Sequence, residues 1–180
     1  VNRNSLPIPQ KALPKKVVGF KSISIKYIDQ NVIAFLRHFR QLFASCTINL
    51  DIYTDDDRTL DLMLRNIWPM IAKNICSMEL SGHAFSGLRQ FVPSILNDCP
   101  SLRVVDTYFG GFFAEFPADD NANASNGQAW AKWLFTPRPD NVPKVFKCWL
   151  DGNLSSRIGA LKAAFANASS PVNFIVVIWQ

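Results

Sequence analysis

A short apolar motif returns along the chain at nearly constant intervals, and it constrains the fold more than any other feature. The motif has the form apolar-x-x-apolar-x-apolar, with threonine in two of its eighteen apolar places. Its second apolar position falls at Ile23, Leu50, Met78, Val105, Cys148 and Ile175, so that the steps are 27, 28, 27, 43 and 27 residues. Repeats of about 20–29 residues with one strand and one helix are typical of leucine-rich repeats. We therefore predict that these six residues are buried in adjacent parallel strands.

The segments between the motifs indicate helices. Their apolar residues recur three or four positions apart, which places them on one face of a helix. In the first segment, Asp29 or Asn31 is available as the N-cap. Pro69 and Pro93 interrupt two of the later segments, and we expect short or kinked helices there because proline lacks the backbone N–H that a helix interior needs.

The predicted fold class is therefore α/β, leucine-rich-repeat-like: strand–helix repeats with a curved, mostly parallel sheet of about six strands and helices on one face. The alternative is a doubly wound sheet with helices on both faces, whose strands would be apolar on both sides. Polar residues at alternate positions of the first four strands argue against it. The sixth strand, NFIVVIW at 173–179, is apolar on both faces, which predicts that the domain is truncated and that residues beyond Gln180 cover it.

The domain organisation follows from composition. Residues 1–16 are basic and proline-rich, which is typical of a linker, and residues 17–180 form a single repeat-type domain. The long step of 43 residues contains a loop insertion at 109–127, with a Gly-Gly pair and a run of Asp, Asn, Ala and Ser.

The charge and the apolar runs of the chain limit whether nucleic acid or a membrane can be its partner. The net charge is +5, and six basic residues precede Asp29 without one acidic residue. Such an arm could contact nucleic acid, but no aromatic residue lies between Arg3 and Lys16, so we expect a solvated linker and no nucleic-acid partner. The longest apolar run, at 174–179, is too short to span a bilayer, and we expect no membrane partner.

The four cysteines, Cys46, Cys76, Cys99 and Cys148, are widely spaced and contain no Cys-x-x-Cys pair. A zinc site is therefore not expected, and all four thiols are predicted to be unpaired. Free thiols favour a reducing compartment, so we expect an intracellular protein of the cytoplasm or nucleus, with a secreted protein as the open alternative.

The sequence offers little for catalysis. The two histidines, His38 and His83, are expected on the surface, and no nucleophile elbow, zinc-protease motif or glycine-rich nucleotide fingerprint occurs. The run at 55–57 is expected to be a turn that starts a helix rather than a cation site. We therefore predict a non-catalytic protein without cofactor or metal.

The positions between the apolar ones form the better candidate site. If the apolar positions face the helices, alternate residues face the open side of the sheet. The central column there is predicted to contain Ser24, Asp51, Glu79, Asp106, Trp149 and Val176. Carboxylates on three successive strands would lie about 5 Å apart. Like charges so placed are destabilising, and a basic segment of a partner would offset that cost.

Aromatic side chains beside this column are typical anchors of protein interfaces. The predicted partner-binding residues are Lys26, Asp51, Tyr53, Glu79, Asp106, Tyr108, Lys147 and Trp149. The alternative is that the carboxylates are merely solvated, with Lys26 or Lys147 nearby.

Several stretches resemble an expanded family of plant-parasitic (cyst) nematode proteins described as F-box domain-containing. They are GFKSISIKYIDQNVIAFLRHFRQLF, NIWPMIAKNIC, FAEFPADDNANAS, AKWLFTPRPD and FANASSPVNFIV. The resemblance extends over nearly the whole chain after Lys16. The most specific part is FPADDNANAS…AKWLFTPR.

In such proteins an F-box binds an Skp1-type adaptor, and the region after it selects a target for ubiquitin transfer. The resemblance implies that this chain is the target-recognition region, with the F-box outside it. Two alternatives stay open: an effector-type protein-interaction module without a ligase role, and a small-molecule enzyme that uses residues 109–127 as a lid.

Overall fold

The computed structural model describes residues 16–44, 46–108, 113–149 and 154–179. The strands are β1 (Ser22–Ile25), β2 (Ile48–Ile52), β3 (Ile75–Leu80), β4 (Val104–Thr107), β5 (Lys144–Trp149) and β6 (Phe174–Trp179). The helices are α1 (Gln30–His38), α2 (Asp57–Asn66), the single turn α3 (Trp68–Ile71), α4 (Gly82–Phe91), α5 (Asn126–Phe135) and α6 (Leu154–Ala166). Two 3₁₀ segments, Arg40–Phe43 and Ala72–Asn74, precede β2 and β3. The predicted linker at 1–16 lies outside the described residues except for Lys16, as do residues 109–112 of the insertion.

All six strands belong to one parallel sheet, in the order β1-β2-β3-β4-β5-β6. The prediction of a parallel α/β sheet of six strands is confirmed. A doubly wound sheet reverses its strand order at one point, and this order contains no reversal, so that alternative is wrong. Crossovers between parallel strands are almost always right-handed, and consecutive crossovers of one hand place their helices on the same face.

The predicted register is correct in the first four strands and wrong in the last two. Ile23 pairs with Leu50, Leu50 with Met78, and Met78 with Val105, as the repeat spacing indicates. Val105 then pairs with Phe146 instead of Cys148. Cys148, predicted to pair with Ile175, pairs with Ile178, and Val176 rather than Ile175 falls in the row of Val105 and Phe146. The pairing therefore slips by two residues in β5, and β6 is displaced by one residue from its predicted register.

These two shifts have different consequences for burial. A shift of two residues keeps a side chain on its face, and Cys148 is fully buried as predicted. A displacement of one residue reverses the face, and Ile175 is 49% exposed, which contradicts the prediction that it is buried. Ile23 is half-buried and packs against the core, while Leu50, Met78 and Val105 are fully buried.

A stack of three buried aromatic rings joins the helices to the sheet. The ring of Trp130 on α5 lies 3.9 Å from that of Phe85 on α4 and 5.3 Å from that of Phe146 on β5, measured between centroids. All three side chains are fully buried. Aromatic pairs in such stacks contribute about 0.5–1.5 kcal/mol each beyond the burial of their area.

The helices begin at capping side chains that the sequence supplies. Asp29 caps α1, because its carboxylate accepts the N–H of Val32 at 2.9 Å. Asp56 caps α2 in the same way, so the acidic run at 55–57 does start a helix. Its hydrogen bonds, first from the Thr59 hydroxyl and then from the Thr59 backbone N–H, lower the pKa of Asp56.

The two prolines limit their helices as predicted. Pro69 lies at the start of the single-turn helix α3, directly after α2 has ended. Helix α4 ends at Phe91, two residues before Pro93. His83 lies in the first turn of α4, and its side chain is exposed, as predicted.

The described part of the insertion, residues 113–125, contains no helix or strand and packs on the helix layer. Phe113 is buried, with its ring 6.5 Å from that of Phe146, and the ring of Phe116 meets that of Phe135 edge to face. Arg89 of α4 is 8% exposed and donates hydrogen bonds to the loop, so helix α4 holds the insertion in place.

Candidate functional site

We call the side of the sheet away from the core the open face. Strand side chains on the helix side, such as those of Leu50, Met78 and Phe146, belong to the hydrophobic core together with residues from the helices. The described open-face side chains do not belong to that core. The open face is therefore available to a partner as far as the described part of the chain extends.

Charged side chains form a row across the middle of the open face, which we call the carboxylate row. Ser24 pairs with Asp51, Asp51 with Glu79, and Glu79 with Asp106, as predicted. Asp106 then pairs with Lys147. The predictions that Trp149 and Val176 continue this central column are wrong, because the shifted registers put Lys147 and Val177 there.

Each carboxylate of the row has a partner within the chain. Asp51 accepts hydrogen bonds from the Ser24 hydroxyl at 2.9 Å and, more weakly, from the Ser22 hydroxyl at 3.4 Å. Glu79 accepts the hydroxyl of Tyr53 at 3.1 Å. Among the described residues, only Asp106 of the row has an ion pair, with the Lys147 ammonium 3.3 Å away. The row is thus partly neutralised at Asp106 and keeps its charge at Asp51 and Glu79.

A second row, the aromatic row, lies two residues further along the strands and contains Tyr53, Tyr108, Trp149 and Trp179. The rings of Tyr53 and Tyr108 lean together above the end of β3, with centroids 5.7 Å apart. The Tyr108 hydroxyl donates to the backbone oxygen of Ile52 at 2.7 Å. These contacts fix both tyrosine rings before any partner arrives.

The tyrosine hydroxyls stay protonated at neutral pH. The hydrogen bond to Glu79 and, secondarily, burial raise the pKa of Tyr53. Burial first, and then the charge of Asp55, raise the pKa of Tyr108 to about 12. Both groups therefore act as hydrogen-bond donors and apolar surfaces rather than as acids or bases.

The tryptophans form the other end of the aromatic row. Trp149 and Trp179 are paired across β5 and β6, with ring centroids 6.2 Å apart, and they are 52% and 47% exposed. Ile175 and Val177 lie beside them on the same face. Trp179 was not among the predicted site residues, because an all-apolar strand gives no alternation from which its face could be inferred.

The remaining predicted residue, Lys26, follows β1 at the end of the aromatic row. Its ammonium lies 5.8 Å from the centroid of the Tyr53 ring, at cation–π distance. The structure thus brings all eight predicted residues to the open face, with Lys147 moved into the carboxylate row and Trp149 into the aromatic row.

Cavities away from the open face also occur among the described residues. One of about 420 Å³ lies between the end of α6 and the start of β6, and one of about 190 Å³ lies beside Lys144 and Arg138. Neither is lined by residues 113–125 of the insertion. In the smaller cavity, the Lys144 ammonium donates to the backbone oxygens of Trp133 and Thr136 at the end of α5, so its hydrogen bonds cap a helix.

Within the described residues, no group of three or more His, Cys, Asp or Glu side chains is arranged to hold a metal ion. None of the helices in the same part of the chain has the length and apolar character needed to cross a membrane. The four cysteines are unpaired, as predicted.

Comparison with known proteins gives no relative: no protein-family profile, no curated protein and no solved structure matches this chain.

Proposed function

We propose that this chain is a non-catalytic protein-recognition domain that binds a basic segment of another protein on its open face. The observation that carries the proposal is the carboxylate row beside exposed aromatic side chains. Asp51 and Glu79 lack a cationic partner among the described residues, while Tyr53 and Trp149 are 43% and 52% exposed. Tyrosine and tryptophan are enriched among the residues that contribute most of the binding energy of an interface.

The arrangement favours binding over catalysis. Parallel α/β enzymes place their ligands in the crevice where the strand order reverses, and a sheet in consecutive order has no such crevice. The tyrosines are held as neutral donors by their raised pKa values.

The proposal has three further parts: the repeat classification, the ligase role and the cellular address. The repeat step of 27–28 residues in consecutive parallel strands supports a leucine-rich-repeat-like classification. The resemblance to F-box domain-containing proteins supports a role in selecting targets for a ubiquitin ligase, with an Skp1-type adaptor bound by an F-box outside these residues. Four free thiols support an address in the cytoplasm or nucleus.

A defined basic peptide tests the binding site. The probe is a fluorescent twelve-residue peptide of three Ser-Ser-Ala-Lys repeats, titrated with the protein at low salt. The test variant carries Asp51→Asn and Glu79→Gln. Asp106 is left intact because Lys147 already neutralises it.

The expected loss follows from Coulomb's law. An ammonium about 4 Å from a carboxylate in water gains about 1 kcal/mol, so two contacts give about 2 kcal/mol before screening. Salt reduces this figure, and we expect affinity to fall about tenfold. The matched control carries Asp57→Asn and Asp98→Asn, which removes two exposed carboxylates from the helix side. Equal binding by the two variants would place the site elsewhere.

The ligase role needs a separate test. The full-length protein should co-purify with an Skp1-type adaptor, and this binding should survive the open-face substitutions because the two sites are distinct. Failure to bind the adaptor would remove the ligase role and leave the recognition function standing.

A further inference from the structure

The aromatic row offers a binding surface of a particular kind. Its rings form two pairs, Tyr53 with Tyr108 and Trp149 with Trp179, with centroids 5.7 Å and 6.2 Å apart. The row crosses the strands at their carboxyl ends, from β2 to β6. At a strand spacing of about 4.8 Å, it is roughly 19 Å long.

The backbone of the sheet offers little to a segment that lies along this row. Between neighbouring strands, the N–H and C=O groups are engaged in the sheet itself. A partner lying across the strands therefore needs a backbone that is satisfied by water or by its own hydrogen bonds. A β-strand partner, which requires a ladder, is disfavoured on this face.

Two conformations meet that requirement, the α-helix and the polyproline II helix. An α-helix with its side chains is about 10 Å wide or more and binds best in a groove of similar width. A polyproline II segment has a fully solvated backbone, and its proline rings pack on exposed aromatic rings. The two ring pairs lie two to three strand spacings apart, roughly 10–14 Å, which corresponds to three or four polyproline II residues of about 3.1 Å each.

The neighbouring carboxylate row selects the charge of the partner. It lies two residues back along the strands, about 6.6 Å away, within reach of a lysine or arginine side chain. Asp51 and Glu79 would repel phosphates, so that nucleic-acid bases stacking on the same rings are disfavoured. Carboxylates next to aromatic rings therefore favour a basic, proline-rich protein segment.

We infer that the open face binds a proline-rich segment in the polyproline II conformation, with its prolines on the two ring pairs and a lysine or arginine at Glu79 and Asp51. This inference rests on the proposed function and specifies the chemistry of the partner. The fixed tyrosine rings and the rigid proline backbone together reduce the entropy lost on binding.

Three labelled peptides of twelve residues test the inference by fluorescence anisotropy. The first has three Pro-Pro-Ala-Lys repeats, the second has Ser-Ser-Ala-Lys repeats, and the third has Pro-Pro-Ala-Glu repeats. The first should bind at least about tenfold more tightly than the second, and the third should show no measurable binding. This comparison uses the parent protein and does not depend on the folding of a variant.

A double variant, Trp149→Ala with Trp179→Ala, locates the proline contact. It should lose a large part of the preference for the Pro-Pro-Ala-Lys peptide over the Ser-Ser-Ala-Lys peptide, and the preference that remains should come from the Tyr53 and Tyr108 pair. The matched control is Phe91→Ala, which removes a 43% exposed aromatic side chain from α4 on the helix side and should change nothing.

The outcomes separate the inference from the proposed function. If the two lysine peptides bind equally to the parent, the proline preference is overturned while recognition of a basic segment stands. If neither binds, both are overturned. If the glutamate peptide binds as well as the first, the charge selection is wrong. An undiminished proline preference in the double tryptophan variant would overturn the assignment of a proline contact to Trp149 and Trp179.

Discussion

We predict that Arg89 is one of the main residues that hold in place the insertion after Tyr108. Its guanidinium donates four hydrogen bonds, to the backbone oxygens of Pro93, Ala124 and Asn121 and to the side-chain oxygen of Asn126, at 2.9–3.2 Å. The side chain is only 8% exposed. The perturbation is Arg89→Met, which keeps the apolar stem and removes every donor.

The magnitude follows from these contacts. Hydrogen bonds from a charged donor contribute about 1.5 kcal/mol each at the lower end of their range, so four give about 6 kcal/mol. Removing the buried guanidinium also removes its desolvation cost of several kcal/mol, which offsets about half of that sum. We therefore expect the free energy of unfolding to fall by about 3 kcal/mol. For a chain of 180 residues this lowers the melting temperature by about 6–12 °C.

The assay is urea unfolding followed by circular dichroism, with hydrogen exchange of the amides at 113–126 as the local readout. The matched control is Arg65→Met. The Arg65 side chain is 70% exposed and pairs with Asp61 one helical turn away, so its loss should cost only about 0.3–0.5 kcal/mol. Equal destabilisation by the two substitutions, or unchanged exchange in the insertion of the Arg89→Met variant, would refute the role given to Arg89.

Three further predictions concern the scaffold. Gly127→Ala should lower the free energy of unfolding by about 2 kcal/mol or more, because the new Cβ would lie 2.6 Å from a backbone oxygen. Gly159→Ala, with open space around the new Cβ, should instead stabilise helix α6 by about 0.5–1 kcal/mol. Cys99 and Cys148 should resist a thiol reagent until the protein unfolds, since burial raises the pKa of each to about 12; rapid labelling of all four cysteines in the native state would contradict this. Burial lowers the pKa of Lys144 from 10.5 to about 8. The free energy of unfolding of the parent should therefore rise relative to that of a Lys144→Met variant as the pH rises from about 8 towards 10.5. A constant difference would show that the burial of Lys144 is relieved in solution.

The first four strands could be predicted from the sequence because two independent patterns agree there. The steps of 27 and 28 residues set the register, and the alternation of apolar and polar residues sets the faces. In β2, for example, Asn49 and Asp51 alternate with Leu50 and Ile52, and the burial follows that alternation. A one-residue error would have buried Asp51, so the sequence leaves little freedom.

In the last two strands, the repeat spacing and the alternation of apolar and polar residues do not both indicate the correct register. The insertion breaks the constant spacing before β5, and that strand places a lysine, Lys144, on its buried side. The cost of burying Lys144 is offset by the helix-end carbonyls that accept its hydrogen bonds, a tertiary feature that no local pattern reports. In β6 every residue is apolar, so neither face can be distinguished from the other.

The site prediction survived the register error for a geometric reason. A slip of two residues along β5 moves Lys147 into the carboxylate row and Trp149 from that row into the aromatic row, but it keeps both on the open face. The contacts within the rows, such as the ion pair between Lys147 and Asp106, depend on the register and could not be predicted. Trp179 was missed because the predicted register of β6 was wrong by one residue. That error assigned the Trp179 side chain to the helix side of the sheet.

The architecture itself determines where recognition takes place. In a sheet whose strands follow one another without reversal, crossovers of one hand lie on the same face, and the other face is open as far as the described residues extend. Side chains on that face repeat at the strand spacing, so one residue type per strand builds a row, as Asp51, Glu79 and Asp106 do. The chain neutralises this row at one end with Lys147, and it holds Tyr53 and Tyr108 rigid in the neighbouring aromatic row. The open face therefore presents negative charge at Glu79 and Asp51 and a preformed apolar surface beside them. For this reason, a basic segment with rigid apolar residues fits the face better than a small polar substrate does.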